Sequence, residues 1–246
     1  MGKFWKIYLF RFLLESGNLW SSTVERLANH EAFEMEVLQW LRSKGFLRPL
    51  VFGGGTMLRL CHEMPRYSLD MDFWFYKEAD YGSFYHQLEN LIGQEYDVTD
   101  MQNKFYSILV EIRKRTGMPK LKIEIRKSVA AGGTTEEKIA FSPHFATQVL
   151  VRGFTLDQML RNKVSALLDR VEIRDAFDLE FLARRGVDLD LSQQDKRKII
   201  KRLSGFTKRD FSVKLGSVLL PEVRDYYNQQ KFTYLEEKLT FDKWST

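Results

Sequence analysis

Apolar and polar side chains alternate over residues 68–73 of SLDMDFWFY, and the stretch continues as a run of aromatics to Tyr76. On a strand this places Leu69, Met71, Phe73 and Phe75 on one face and Asp70, Asp72, Trp74 and Tyr76 on the other. The same period-two pattern recurs in KLKIEIRKS, with Leu121, Ile123 and Ile125 opposed to Lys122, Glu124 and Arg126. It recurs again in NKFYSILVEIRKR, and the intervening TGMP predicts a hairpin turn between these two strands. A short apolar run, LVF, runs into GGGT at residues 53–56, and TMLRLCHEM then predicts one or two helical turns.

Elsewhere the spacing is helical. Residues 5 to 45 read as helices, with Ser and Thr starts in SSTVERLANH and Gly45 as a C-cap. YGSFYHQLENLIGQEY predicts a further helix, and AAGGTTEEK reads as a polar, flexible loop. Beyond residue 150, TLDQMLRNKVSALLDR and RDAFDLEFLARRG are both helical in pattern. The fold class expected is α+β, a small mixed sheet with flanking helices followed by a helical C-terminal half. The division expected is an α/β core over 1–150 and a helical domain over 151–246 that completes the active site. No repeat or low-complexity segment interrupts the 246 residues.

Composition narrows the chemistry. A formal net charge of +5 favours acidic partners such as nucleotides or RNA. Cys61 is the single cysteine, which excludes an internal disulfide and, with no His/Cys cluster, a zinc site. The basic, apolar start MGKFWKIYLFRFLLESGNLW is interrupted by Arg11 and reads as an amphipathic helix rather than a signal peptide. No stretch approaches the ~18–20 apolar residues of a membrane span, so a cytoplasmic location is expected.

Asp70 and Asp72 sit two residues apart on one strand face, where like charges repel and desolvation is costly. A divalent cation resolves both problems, and Mg²⁺ or Mn²⁺ takes carboxylate oxygens while sharing its other positions with phosphates. Glu124, on the polar face of its own strand, is a third candidate ligand; three acids suit a two-metal site. The bland alternative is a solvated sheet face. GGGT lacks the Lys of a phosphate-binding P-loop and is not a dinucleotide G-x-G-x-x-G. Its glycines nonetheless permit positive φ and close approach of backbone N–H groups to phosphate. On the helix from 155, Lys163 shares a face with Leu156, Leu160 and Leu167, where an amine needs a partner or must snorkel. Asp175 and Asp178 lie on an apolar face with Leu179 and Leu182, and Lys163 or Arg170 are available to pair with them.

GGTMLRL followed by RYSLDMDF matches G-G-T-x-L and R-x-S-x-D-x-D, and RNKVSALLDRVEIRDAFDLEF matches K-x-x-A-L-x-x-R with R-D-x-x-D. In these motifs the chain resembles the AbiEii/AbiGii-type nucleotidyltransferases, a group within the DNA polymerase β-like superfamily that includes MenT toxins. The resemblance implies NMP transfer from an NTP to an acceptor such as the 3′ end of tRNA, by a toxin restrained by an antitoxin. It implies that Gly54, Gly55, Thr56, Arg66 and Ser68 bind nucleotide and that Asp70 and Asp72 bind metal; Glu124 lies outside these motifs, and the family often lacks a clear third carboxylate. Lys163 would contact the triphosphate, and Asp175 would take part in catalysis or alignment. A small-molecule nucleotidyltransferase and a non-catalytic nucleotide-binding module are the alternatives. DKRKIIKR, residues 195–202, reads as a solvated helix face or a basic platform for RNA.

Overall fold

The strand of alternating acids lies at the centre of a seven-stranded mixed sheet. The computed structural model describes residues 20–115, 119–130 and 134–240; the amphipathic start and most of the TGMP turn fall outside them. The strands are β1 (Leu50–Gly53), β2 (Asp70–Phe75), β3 (Asp97–Asn103), β4 (Ser107–Arg113), β5 (Lys120–Val129), β6 (Thr135–Ala140) and β7 (Val149–Phe154). Their order is β3-β4-β5-β2-β1-β7-β6. β4 and β5 pair antiparallel, as the hairpin pattern requires. β2 runs antiparallel to β1 and parallel to β5. The polar stretch expected to be a flexible loop instead contributes β6, from Thr135 onward, because its backbone pairs with β7. Residue 150, the expected division, falls inside β7.

Before the sheet comes α1 (Trp20–Ser43), and α2 (Gly54–His62) follows β1 directly. The next helix, α3 (Tyr81–Glu95), is started by Asp80, whose carboxylate accepts from Ser83 N at 3.0 Å. The C-terminal part is helical: α4 (Leu156–Arg170), α5 (Ile173–Arg184), α6 (Gln193–Leu203), a π-helical turn (Asp210–Leu215), α7 (Pro221–Gln230) and α8 (Thr233–Thr240). Thr155 caps α4 by accepting from Gln158 N, and Val171 at φ 53° ends it. Only Val171 and Glu172 then separate α4 from α5, so the two helices fold back on each other. None of the helices among the described residues is long and apolar enough to cross a membrane.

The apolar side of the sheet is fully used: Met71, Phe73, Phe75, Ile108, Val110, Ile123 and Ile125 are each at most 1% exposed. The same core takes in Phe177 and Phe232 from the helical part. The segment between α2 and β2 is pinned to that part as well. Arg66 bridges Leu219, Tyr67 N donates to Val218 O at 2.8 Å, and Leu220 N donates to Pro65 O at 3.2 Å. In α6, the basic stretch expected as a solvated face does project outward, while Ile199 and Leu203 are buried.

α1 carries an internal acid–base pair. His30 Nε2 donates to Lys120 O at 2.9 Å, and its Nδ1 lies 3.3 Å from Glu34 Oε1. Burial, with the neighbouring charges of Glu31 and Asp70, pushes the Glu34 carboxyl up from 4.5 to about 7, against the opposing effect of His30. Burial lowers His30, but Glu34 more than reverses this and leaves it raised. Glu34 therefore holds a proton in the folded chain at a pH where the unfolded chain releases it. Stability should fall as pH rises from about 4.5 to 7, by about 3 kcal/mol from Glu34 if it acted alone. Thermal midpoints measured across this window should decline for the wild type and stay flatter for Glu34→Gln.

Candidate active site

The β1–α2 turn and the acidic face of β2 are built against each other. Gly54 has φ +70°, and a Cβ there would overlap the Asp72 carboxylate. A Cβ at Gly55 would lie 2.5 Å from Arg66 Nη2 and 2.8 Å from Ser68 Oγ. Two glycines are therefore needed for the helix to start this close to the strand. Gly53, at the N-cap of α2, provides no side-chain cap, so the first-turn N–H groups keep their capacity to bind an anion. Gly54→Ala should cost about 1–2 kcal/mol from the left-handed backbone alone. It should also displace Asp72, lowering both the thermal midpoint and nucleotide transfer, as melting curves and a transfer assay on the same preparation would show.

Register brings the acids together. Asp70 stands opposite Lys122, Asp72 opposite Glu124, and Trp74 opposite Arg126. Glu124 is thus beside Asp72 on the neighbouring strand, and it pairs with Arg126 at 3.7 Å. Burial raises the Asp72 carboxyl above its ordinary range; Arg126 and Lys163 oppose the shift, while Glu124 and Asp70 add to it. Among the described residues no hydrogen-bond donor reaches the Asp70 or Asp72 carboxylates. Nor does any group of three His, Cys, Asp or Glu form a preformed metal cage among them. The donor set instead suits Mg²⁺, which commonly takes one or two carboxylates and completes its shell with water and substrate phosphate.

The opposite wall comes from α4 and α5. Lys163 is buried on the apolar face of α4 and does not snorkel. Its Nζ lies 2.7 Å from Asp178 Oδ2 and 3.2 Å from Asp175 Oδ1. Arg170 grips Asp175 with two bonds, at 2.7 and 2.9 Å. Arg66 grips Asp178 with two more, both 2.7 Å, and also donates to Tyr67 O at 2.8 Å. Burial alone would raise Asp178, but Arg66 and Lys163 hold its carboxyl below the ordinary range. The result is a chain of alternating charges, Arg66–Asp178–Lys163–Asp175–Arg170, that ties the Arg66 segment to two helices.

Gly55, Arg66, Ser68, Asp70 and Asp72 line one cleft of about 130 Å³ together with Glu124, Lys163 and Asp175. Two residues expected to contact nucleotide are committed to the protein itself. Thr56 is fully buried, and its hydroxyl donates to Asp70 O at 2.6 Å, fixing the start of β2. Arg66 faces the cleft with its guanidinium already engaged by Asp178. Lys122, Arg126, Arg170, Glu172 and Arg174 also line the cleft without having been expected as site residues. Lys122 and Arg126 share the period-two face of Glu124, which was the available signal. Arg170 and Arg174 lie within the second motif, but only the α4–α5 turn shows that they face the acids.

A family model described as "Nucleotidyl transferase AbiEii toxin, Type IV TA system" matches residues 39–244. The fold is similar to that of JHP933 from Helicobacter pylori, at 20% identity and TM-score 0.52, covering 85% of this chain and 93% of that one. MenT4, a nucleotidyltransferase toxin from Mycobacterium tuberculosis H37Rv, aligns over 92% of this chain and 91% of its own, at 16% identity and TM-score 0.49. No curated protein matches. The family model spans most of the chain and both motif regions, and the protein therefore belongs to the AbiEii family of nucleotidyltransferase toxins of type IV toxin–antitoxin systems.

Proposed function

We propose that this nucleotidyltransferase moves NMP from an Mg²⁺- or Mn²⁺-bound NTP to an RNA acceptor, the 3′ end of tRNA, in the cytoplasm, and that a cognate antitoxin restrains it. The observation that carries the reading is the packing of Asp72 against Gly54, which sets a carboxylate beside an uncapped helix start. Asp70 and Asp72 would hold the cation, with Glu124 adjacent. When bound, the cation offsets phosphate charge and favours ionisation of the attacking hydroxyl.

The chain's own groups account for the rest. The N–H groups at the start of α2 and the Ser68 hydroxyl on the cleft wall are suited to phosphate oxygens. Lys163 has three ammonium protons and two carboxylate partners, leaving a donor for the triphosphate. Asp175 aligns Lys163 and Arg170 rather than touching the reacting atoms. The acceptor hydroxyl gives its proton to solvent as its oxygen attacks the α-phosphorus, the bond from that phosphorus to the bridging oxygen breaks, and pyrophosphate leaves with the pair of electrons. Catalysis then rests on positioning and electrostatics, as in other phosphoryl and nucleotidyl transfers.

The test is transfer from each of four labelled NTPs to total cellular RNA, protein and small molecules, with Mg²⁺, with EDTA, and with metal restored. Label on RNA that disappears with EDTA and returns with Mg²⁺ or Mn²⁺ is the expected result. Label on small molecules alone would replace the RNA reading with a small-molecule acceptor. Binding of NTP without transfer to any pool would replace it with a non-catalytic module.

A further inference from the structure

The exposed face of β2 continues past the acids. Asp70, Asp72 and Trp74 succeed one another at two-residue intervals, each step about 6.8 Å, and Tyr76 follows in the bend just past the end of β2. Trp74 carries the Arg126 guanidinium of β5 over its ring at 4.8 Å, and Tyr76 carries that of Arg152 from β7 at 4.0 Å. Arg126 lines the catalytic cleft, whereas Arg152 lines a second cleft of about 270 Å³ with Arg42, Leu47, Arg48 and Leu150. Among the described residues, Glu137 is the one acid lining that second cleft. Two of its arginines are set in place by backbone carbonyls: Arg42 Nη1 donates to Leu150 O at 2.5 Å, and Arg152 Nη1 to Arg48 O at 3.1 Å. Tyr76 is 42% exposed, and the transfer chemistry uses neither it nor this cleft.

Aromatic rings interleaved with guanidinium groups beside a positive groove are the composition that holds single-stranded nucleic acid, through stacking and phosphate contacts. We infer that the path from Trp74–Arg126 to Tyr76–Arg152 and on to Arg42 and Arg48 seats the unpaired nucleotides of the RNA acceptor just upstream of its reacting 3′ end. Tyr76 lies four residues beyond Asp72, one past the end of β2, so at most about 14 Å of chain separates them. A terminal hydroxyl at Asp72 therefore leaves this station to upstream nucleotides, with phosphates on Arg42 and Arg48. The inference rests on the proposed RNA acceptor and adds where that RNA lies.

The test uses the full chain, a fluorescent single-stranded RNA ending in a free 3′ hydroxyl, and the variants Tyr76→Ala and Arg42→Ala/Arg48→Ala. Tyr76→Ala should weaken RNA binding about tenfold. The double arginine variant should flatten the slope of log affinity against log salt by about 1.4, for two lost phosphate contacts. NTP affinity and thermal midpoint should stay at wild-type values in both. Wild-type RNA affinity and salt slope in both variants would overturn the inference while leaving the RNA acceptor intact. A wild type that neither binds nor labels RNA would instead overturn the acceptor reading itself. Loss of antitoxin binding or of self-association, with RNA binding unchanged, would assign the surface to a protein partner and also overturn it.

Discussion

Asp72→Ala should reduce nucleotidyl transfer on the order of a thousandfold or more while leaving the fold as stable as the wild type. The first half follows from its proposed role. A metal ligand at the reacting phosphate contributes several kcal/mol to the transition state, and each ~1.4 kcal/mol is tenfold in rate. The second half follows from its surroundings. Burial and the neighbouring acids Glu124 and Asp70 disfavour the Asp72 carboxylate, and no hydrogen-bond donor among the described residues compensates for them. Removing it relieves a desolvated charge and empties space beside Gly54 without orphaning a partner. Transfer from labelled NTP and thermal unfolding, measured on the same preparations, separate the two effects. Transfer by Asp72→Ala near the wild-type rate would remove this carboxylate from the chemistry, and a large fall in midpoint would make it structural.

Asp178→Ala should have the opposite signature, with lost stability as the primary effect. The carboxylate is fully buried and receives both Arg66 bonds as well as Lys163 at 2.7 Å. Its removal strands a buried guanidinium and leaves Lys163 with Asp175 alone, and breaking such a pair from one side costs about 3–5 kcal/mol. At roughly 2–4 °C per kcal/mol for a chain of this size, the midpoint should drop by about 10 °C. Arg66→Met combined with Asp178→Leu should recover much of that loss, because an apolar pair of similar volume leaves no orphaned charge. Full additivity of the two single costs would show that the pair does not act as a unit. Because Arg66 and Lys163 depress the Asp178 carboxyl, its contribution is present above its ordinary pKa of 3.8 and fades as pH falls through the folded value. The wild type should therefore lose stability at that acid end, and Asp178→Ala should lose less of what remains.

Three strands escaped the reading of the sequence, β3, β6 and β7, and the first two lie at the edges of the sheet. β3, DVTDMQN, and β6, TEEKIA, are largely exposed and bond to one neighbour each. An edge strand exposed on both faces needs no apolar alternation, so neither shows the signal that marks β2, β4 and β5. β7 alternates only in part, with Arg152 and Gly153 interrupting the apolar positions. By contrast, the faces of β2 and β5 were legible residue by residue, because a buried side tolerates no polar substitute.

Thr56 and Arg66 show where motif reading stops. Their residue types suit phosphate, yet their donors turn inward, to Asp70 O and to Asp178. Nothing in the local sequence distinguishes these outcomes. Arg66 and Asp178 are 112 positions apart, and their meeting depends on how the 65–68 segment docks on the helical part.

The sequence by itself determined which chemical groups are present, which face of each central strand carries them, and, through its motifs, the nucleotidyltransferase family. Periodicity and local backbone preference act over a few residues, so these properties are written locally. Only the tertiary structure decided the partnerships: Asp72 beside Glu124, Gly54 against Asp72, and Lys163 between Asp175 and Asp178. Those distances are set by strand register and by the return of α5 along α4. Both result from burying a shared core, and no short stretch of sequence contains that information.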